Sequence, residues 1–469
     1  MRPTLIHCRM QWEAIEVRRS PRLLFRHGVV RYGLASLLPR GTAILTMLVV
    51  TPLGIERLGP FDYGLWVLAT QVPNVVVSPD LGLGQGVINS MAHVHRRDGN
   101  LNAERSRLHG LVKLLWVIAC TWFFVGVGAS SIYVVASGTP SASVWPLVTA
   151  FVVSLACFTS GVPATVFARA QLAQENGHRT VLWEGAGKVL TLVLCVAVLV
   201  FSPSLILLVL AYMLPTTLAM WSNAISYTKR EFSPASSDPT PSLRHAFQQN
   251  KGLFGVGKYF VILQVCYVVG IAADPYIVNA MASTRDVTYI SVARRPYEML
   301  PLFVSLYSTA LWPVFARLHS TAQWRRLRRL AVAVTAGGAM AVAFAGLVIA
   351  AFGNPVYSFL GRGQVNPTRA DLLWITLHMS ATVAVMVVSI YLNAIGVVRI
   401  QAVLMVLATT AIVVGKVVVL SIADVHSFIG WASASYVAFT AVPLTYLALR
   451  RLRPPDKSES DAQCAPGPC

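Results

Sequence analysis

The sequence predicts an all-helical, polytopic membrane protein with about twelve transmembrane helices. Hydrophobic residues make up 55% of the 469 residues and charged residues only 12%, which is about half the charged fraction of a typical soluble domain. Apolar runs of about 20 residues recur along the chain, and each can cross a hydrocarbon core of ~30 Å. Lysine and arginine are concentrated in every second predicted loop.

Twelve apolar runs account for most of the chain. The first two form a hairpin around the polar turn at 56–62, and the fifth and sixth are separated only by Ser202 and Pro203. Because hydropathy defines the ends of such runs only to within a few residues, the limits are approximate. The predicted spans are 33–55, 62–84, 109–134, 144–168, 181–201, 204–226, 253–279, 288–315, 330–352, 372–394, 400–422 and 427–449.

The distribution of positive charge predicts the orientation of these spans. With the N-terminus inside, 27 of the 38 lysines and arginines lie in predicted inside segments and four in outside loops. Cytoplasmic loops carry such an excess in plasma-membrane proteins. We therefore expect a multi-pass inner or plasma membrane protein with both termini in the cytoplasm. The net charge of +19 is interpreted as a topology signal, and no nucleic-acid partner is expected.

The chain divides into two halves of six spans. A basic N-terminal tail (1–29) precedes the first half (30–228), and a Ser- and Pro-rich cytoplasmic linker (229–252) leads to the second half (253–449) and a C-terminal tail (450–469). Both halves start from the cytoplasm and are therefore expected to be parallel repeats. The N-terminal tail is predicted to be either an interfacial helix or a disordered segment.

Few other sequence signals point to special chemistry. The seven cysteines show neither paired spacing nor a metal-like cluster and are interpreted as packing residues or reduced thiols. No cleavable signal peptide and no nucleotide-binding loop is apparent, so no cofactor is expected. His378 is interpreted as a packing residue, and Lys113 as a side chain that extends to the membrane surface.

Charged residues inside the predicted spans are the main functional signal. Each costs roughly 2.5 kcal/mol or more if it faces lipid at the bilayer centre, so these side chains are expected to face inward. They come from both halves, which predicts a polar cavity between two bundles. The bases are Arg40, Lys188, Lys258, Arg294, Arg295 and Lys416, and the acids, which are candidates for coupling to a cation or proton, are Asp80, Glu184, Asp274 and Glu298.

The balance of these charges favours an anionic substrate. Glu184 with Lys188, and Arg294 with Glu298, have i,i+4 spacing and are expected to pair. The remaining bases outnumber the acids, which predicts a cationic cavity suited to phosphate groups.

Two prolines are expected to disturb their helices. A helix break is predicted at Arg40, which lies between a proline and a glycine, and a kink at Asp274, which precedes Pro275.

Two stretches resemble a known family. The segment from Arg40 through 58–66 (LGPFDYGLW) to 80–82 is similar to the opening hairpin of the bacterial polysaccharide-export flippases. These are the Wzx-type O-antigen and capsule flippases of the MOP superfamily. The start of the eighth span, from Tyr289 to Ala293, also resembles that family, as do the two halves of six spans.

This resemblance implies a V-shaped pair of bundles around a cationic lumen that contains Arg40. It further implies a flippase, not an enzyme, that moves a polyprenyl-diphosphate-linked oligosaccharide from the inner to the outer leaflet by alternating access. The partners it implies are this lipid-linked saccharide, membrane lipid, a coupling proton or sodium ion, and polysaccharide polymerase or export machinery.

Three alternatives remain open at this point. A MATE-type multidrug exporter of the same superfamily would favour an acidic or aromatic cavity for organic cations. A membrane-embedded glycan-handling enzyme usually needs a sizeable outside loop, and the longest one here is 352–371. A structural scaffold without transport would tolerate neutralisation of the charges inside its spans.

Overall fold

The computed structural model confirms a helical multi-pass membrane protein. It describes residues 35–75, 101–174, 176–231, 259, 261–301, 311 and 314–452. Nine helices in these ranges are long and apolar enough to cross a membrane, or ten if one bent pair counts as a single span. The N-terminal tail (1–29), most of the linker and of the C-terminal tail, and the candidate residues Asp80 and Lys258 lie outside the described residues.

The first two predicted spans form one hairpin, labelled α1 (Leu37–Val75). Helical geometry is interrupted at Gly59, which has φ 81° and ψ 164°, a conformation that favours glycine. The Tyr63 hydroxyl donates to Thr51 Oγ1 at 3.2 Å, although a straight helix would place these two residues about 18 Å apart. The chain therefore reverses direction at Gly59, as the sequence predicts.

The rest of the N-terminal half corresponds to predicted spans three to six. The fourth span is continuous through a 3₁₀ turn, and only three residues join the fifth and sixth. The elements are α2 (Leu101–Ala136), α3 (Ser141–Gly161), the 3₁₀ turn (Val162–Ala164), α4 (Thr165–Ala173), α5 (Gly177–Phe201) and α6 (Leu205–Glu231).

The C-terminal half contains two spans interrupted by π-helical turns. The seventh span bends by 42° between Val261–Ala272 and the following helix, which confirms the kink predicted at Asp274 and Pro275. The elements are a π-turn (Val268–Ala272), α7 (Asp274–Met281), α8 (Thr284–Glu298), α9 (Trp324–Phe352), α10 (Asn354–Leu360), α11 (Arg369–Ala394), α12 (Val398–Ile422), α13 (Val425–Ser435), a π-turn (Tyr436–Ala441) and α14 (Val442–Arg451).

Polar side chains cap several helices at the end that carries the Gly59 turn. Ser283 Oγ accepts the backbone N–H of Asp286 at the start of α8. Asp424 Oδ1 accepts the backbone N–H of Ser427 at 2.9 Å, and this hydrogen bond lowers the pKa of the Asp424 carboxyl below its ordinary value. Such caps satisfy backbone donors that have no partner within the helix.

Among the described residues, the apolar core joins the two halves at one end only. At the end with the Gly59 turn, one cluster combines residues of α1, such as Leu68, with residues of α8, such as Tyr297. At the opposite end the buried residues form two separate clusters. One contains Leu108 and other residues of the N-terminal half, and the other contains Leu327 and other residues of the C-terminal half. The two halves therefore diverge from a shared end, as in the predicted V shape.

Hydrogen bonds close the shared end. The Tyr276 hydroxyl of α7 donates to the Leu68 carbonyl of α1 at 2.8 Å, and the Thr288 hydroxyl of α8 donates to the Pro60 carbonyl at 2.5 Å. Both bonds link the C-terminal half to the second arm of α1. We call this set of contacts the seam, and it lies at the end that the charge distribution predicts to be outside.

The seam also requires a close approach of two backbones. A Cβ atom at Gly64 would lie 2.4 Å from the Thr284 carbonyl oxygen, so only glycine fits this position in α1. At the same end, Arg362 forms a 3.0 Å ion pair with Glu56. Both of these charged residues belong to loops predicted to be on the outside, and their contact agrees with that assignment.

Candidate substrate cavity between the two halves

A cavity of about 250 Å³ lies between the N-terminal and C-terminal halves. Four helices of the protein contribute to its wall: both arms of α1 together with α5, α6 and α8. It is smaller than the ~300–1,000 Å³ of pockets for drug-sized ligands. Its lining residues are Ala43, Ile44, Thr46, Met47, Val50, Thr51, Trp66, Lys188, Thr191, Tyr212, Arg295, Glu298 and Met299.

Helical periodicity explains why these residues share one wall. In the first arm of α1, Ala43, Met47 and Val50 have i, i+4, i+7 spacing, and such positions lie on the same helical face. Lys188 and Thr191 are three residues apart on α5 and likewise share a face. One stripe of each helix therefore lines the cavity.

Charged side chains from both halves meet in this wall. Lys188 comes from α5 in the N-terminal half, and Arg295 and Glu298 come from α8 in the C-terminal half. The Arg295 side chain is 16% exposed, and its Nη1 lies 3.4 Å from Glu298 Oε2, whose side chain is 44% exposed. The hydroxyl groups of Tyr63 and Tyr212 lie beside the guanidinium. Lys188 and Arg295 are thus two bases from separate halves that line the same cavity.

Several lining residues were not predicted from the sequence, among them Trp66 and Tyr212. Trp66 is only 3% exposed, and its ring meets that of Tyr212 edge-on at 5.4 Å. The signal that could have identified them was helical phase, since they lie on the inner stripes of α1 and α6. A search for charged residues alone overlooks such neutral hydrogen-bonding groups.

Three other charged residues form a buried cluster inside the C-terminal half, which we call the triad. Asp274 on α7 accepts from Arg294 Nη2 on α8 at 2.9 Å and from Lys416 Nζ on α12 at 2.5 Å. The side chains of Asp274 and Lys416 are each 1% exposed. Lys416 Nζ also donates to the Gly270 carbonyl at 2.6 Å, within the π-turn of the seventh span.

The triad corrects one predicted ion pair. Arg294 was expected to pair with Glu298, but it contacts Asp274, and Glu298 instead contacts Arg295. The i,i+4 spacing permits a surface contact worth only a few tenths of a kcal/mol, whereas a buried carboxylate is very costly without a positive partner. Desolvation of Asp274 therefore determines where the Arg294 side chain lies.

The triad also separates Arg294 and Lys416 from the other predicted substrate-binding bases. Neither side chain lines the cavity, and Lys416 lies 5.7 Å from the centre of the Phe428 ring. His378 is buried nearby, with its ring centre 4.7 Å from that of Tyr436. This environment agrees with the interpretation of His378 as a packing residue.

Arg40 lies outside the lining of the cavity. It is half-buried in the first turns of α1, and its Nη1 donates to Ser36 Oγ at 3.4 Å. The helix break predicted there is wrong, because α1 is continuous through Pro39, Arg40 and Gly41. A proline in the first helical turn removes no intrahelical hydrogen bond, and this explains the uninterrupted geometry.

Glu184 does not form the pair predicted with Lys188. Its side chain is exposed one turn away from Lys188 on α5, and among the described residues no ion pair joins the two. Lys188 is therefore an unneutralised base in the cavity wall. Among the described residues, it provides the cavity wall, together with Arg295, with two bases against the acid Glu298, an arrangement that suits an anion.

Comparison with known proteins identifies the fold. No protein-family model matches the chain, and no curated protein sequence matches it. An inward-facing multidrug-resistance MATE transporter of the MOP superfamily superposes with a TM-score of 0.71 at 15% identity, covering 92% of this chain and 100% of that one. An outward-facing MATE transporter superposes with a TM-score of 0.62 at 16% identity, covering 91% and 95%.

A third solved structure has a related fold and a differently charged pocket. It is a MOP-superfamily transporter from Pyrococcus furiosus Vc1, described with a binding pocket whose reverse polarity suggests a different function. It superposes with a TM-score of 0.63 at 16% identity, covering 91% of this chain and 95% of that one.

These similarities show that the chain shares its fold with these MOP-superfamily transporters, and they confirm the predicted fold class. All three proteins are transporters. Of the two MATE structures, the inward-facing one superposes with the higher TM-score. This agrees with the position of the seam at the predicted outer end and of the two separate clusters at the opposite end.

Proposed function

We propose that this protein is a flippase that moves a polyprenyl-diphosphate-linked oligosaccharide from the inner to the outer leaflet of a bacterial plasma membrane. The observation that carries the proposal is the position of Lys188 and Arg295, one from each half, in the wall of one cavity. Guanidinium and ammonium groups bind phosphate oxygens through charge-assisted hydrogen bonds. A diphosphate between these two bases would bridge the halves.

The fold suggests how such bridging leads to transport. In the observed conformation the headgroup would enter from the end where the two cores separate, while the polyprenyl tail remains in lipid. A ligand shifts a conformational equilibrium only by its difference in affinity for the two states. Contacts to both bases would favour closure of that end. Loss of seam hydrogen bonds, such as the one from the Thr288 hydroxyl to the Pro60 carbonyl, would then open the opposite end.

Coupling to an ion gradient is assigned to the acids of the two charge clusters. Among the described candidates, Glu298 lies in the cavity and is 44% exposed, whereas Asp274 is already neutralised by Arg294 and Lys416. We therefore favour Glu298 as the group that binds a proton or cation. Its neutralisation would release Arg295 for the substrate. Asp80 and Glu184 remain further candidates from the sequence.

A MATE-type exporter of organic cations is the second candidate function. The names of two structural neighbours and the carboxylate of Glu298 favour it. The excess of bases over acids in the cavity wall favours the flippase, because an organic cation would have to bind beside Lys188 and Arg295.

Flipping in proteoliposomes tests the proposal directly. The purified protein would be reconstituted with a polyprenyl-diphosphate disaccharide, and exposure of the sugar would be followed with a membrane-impermeant lectin. We expect Lys188→Gln and Arg295→Gln each to slow flipping about 10-fold or more, since each removes a charged hydrogen-bond donor. Lys229→Gln, which neutralises an exposed lysine at the end of α6, is the matched control.

The same vesicles distinguish the two candidate functions. A wild-type protein that moves the lipid-linked saccharide and leaves an organic cation such as ethidium in place supports the flippase. A protein that transports ethidium and not the saccharide would overturn this proposal in favour of the exporter. Repeating the assay with each ion gradient collapsed, in wild type and in Glu298→Gln, tests the proposed coupling role of Glu298.

A further inference from the structure

The cavity wall contains two hydrogen-bond donors that lack an acceptor. Trp66 Nε1 and Arg295 Nε are both buried, and among the described residues neither has a hydrogen-bond partner. Trp66 belongs to the second arm of α1, and Arg295 belongs to α8 across the interface between the halves. Buried donors are nearly always satisfied in native proteins, so two in one wall require an explanation.

Two neighbouring hydroxyl groups of the wall form hydrogen bonds with other partners. Thr46 donates to the Thr42 carbonyl at 2.8 Å, so its own donor is used within α1. Thr51 accepts from Tyr63 at 3.2 Å. Indole and guanidinium nitrogens donate and cannot accept. Among the described residues, neither Trp66 Nε1 nor Arg295 Nε is bonded in the observed conformation, so both can donate to an acceptor that enters the cavity.

We propose that Trp66 Nε1 and Arg295 Nε together recognise a phosphate oxygen of the transported headgroup and thereby determine specificity for an oxyanion. This inference rests on the proposed function and assigns to Trp66 a role that charge alone does not suggest. Phosphate oxygens have only lone pairs to offer, and they would satisfy the two donors of this wall. An organic cation has no such acceptor and leaves both donors unsatisfied.

The burial of Trp66 Nε1 and Arg295 Nε means that a ligand can reach them only after a conformational change. Both are sealed from solvent in this state, although the cavity of about 250 Å³ lies against their side chains. A headgroup reaches them only when the wall rearranges, for example by movement of the flexible Met299 side chain. Binding at these donors therefore favours a more closed arrangement of α1 and α8 around the ligand.

Binding measurements with short lipid probes test this role. Purified protein in nanodiscs would be titrated with farnesyl diphosphate, and with farnesyl trimethylammonium as the cationic counterpart. We expect Trp66→Phe to weaken farnesyl diphosphate binding about 10- to 150-fold, the loss corresponding to one hydrogen bond to a charged group. Arg295→Lys, which keeps the charge and removes Nε, should weaken binding to a similar degree. Neither change should affect binding of the cation.

Two controls separate the hydrogen bond from packing. Trp221→Phe removes an indole that already donates to the Ser160 carbonyl at 2.9 Å and lies outside the cavity lining, and it should leave affinity unchanged. Replacement of Trp66 with benzothienylalanine keeps the ring size and removes only the N–H. It should reproduce the loss seen in Trp66→Phe.

A spectroscopic readout remains decisive even if a variant fails to fold. In wild-type protein with ¹⁵N-labelled tryptophan, the indole resonance that Trp66→Phe or benzothienylalanine removes should move downfield when farnesyl diphosphate is added. One outcome would contradict this inference alone. In it, wild-type protein binds farnesyl diphosphate and Lys188→Gln weakens that binding, but the Trp66 resonance does not move and Trp66→Phe leaves the affinity unchanged. The flippase proposal would then stand. If wild-type protein binds no diphosphate, both are wrong.

Discussion

Arg294 and Arg295 are neighbours on α8, yet they belong to two different environments. Arg294 donates to Asp274 in a triad where the acid has two cationic partners, and Arg295 lies in a cavity where bases outnumber acids. Consecutive helical residues differ by about 100° around the axis, and this rotation sends one side chain into the C-terminal half and the other toward the interface. The comparison teaches that a fully buried charge inside a span is held by buried partners, whereas the partner of Arg295 at the cavity wall, Glu298, is 44% exposed.

The triad is a structural feature of the C-terminal half. It connects the seventh, eighth and eleventh spans through hydrogen bonds of 2.5 to 2.9 Å. A buried ion pair contributes little net stability when intact, but loss of one partner leaves an uncompensated charge. In the cavity, by contrast, the Glu298 side chain is 44% exposed, so loss of this acid should cost less stability than loss of Asp274, whose side chain is 1% exposed.

The largest expected effect is on folding and comes from the acid of the triad. Asp274→Asn leaves the buried ammonium of Lys416 beside a neutral amide, and we expect it to reduce the free energy of unfolding by about 3–5 kcal/mol. Thermal unfolding in detergent, followed by a thiol-reactive dye, measures this loss. Glu298→Gln is the matched control and should shift the midpoint little. Equal shifts for the two variants would show that the two environments do not differ.

A smaller loss of stability should distinguish Lys416, in the triad, from Lys188, in the cavity wall. Lys416→Met removes a hydrogen-bonded cation but leaves Asp274 paired with Arg294, so we expect a destabilisation of about 2 kcal/mol. Lys188→Met should retain wild-type stability and lose affinity for a diphosphate probe. The same two assays, thermal unfolding and probe binding, apply to both proteins. The reverse pattern would assign the cavity role to Lys416.

The smallest effect is expected at Arg40. Its guanidinium contacts only Ser36 among the described residues and does not line the cavity, so Arg40→Gln should change probe affinity by less than about 0.5 kcal/mol. Arg295→Gln, assayed in parallel, gives the loss of probe affinity expected for a base that lines the cavity. A loss at Arg40 as large as that at Arg295 would restore the lumenal role that the family resemblance implies.

The sequence predictions were accurate where they depended on residues adjacent in the sequence, and less accurate where they depended on contacts between different helices. The hairpin at Gly59 and the bend at Asp274 depend on adjacent residues, and both were predicted correctly. The pair of Arg294 with Glu298 was inferred from spacing on one helix and is wrong, because Asp274 on another helix is a more buried partner. The break at Arg40 was inferred from Pro39 without knowing that this proline lies in the first helical turn.

Hydropathy and charge by themselves determined that this chain is a helical membrane protein, and they predict the limits of its spans and the orientation that the membrane should impose. A bilayer requires every backbone polar group to be satisfied within the span, so composition along a single segment is sufficient for these conclusions. Only the tertiary structure decided which intramembrane charges are paired and which line the cavity, and that Trp66 and Arg295 line the same cavity. Those outcomes depend on the rotation and packing of helices that are far apart in the sequence.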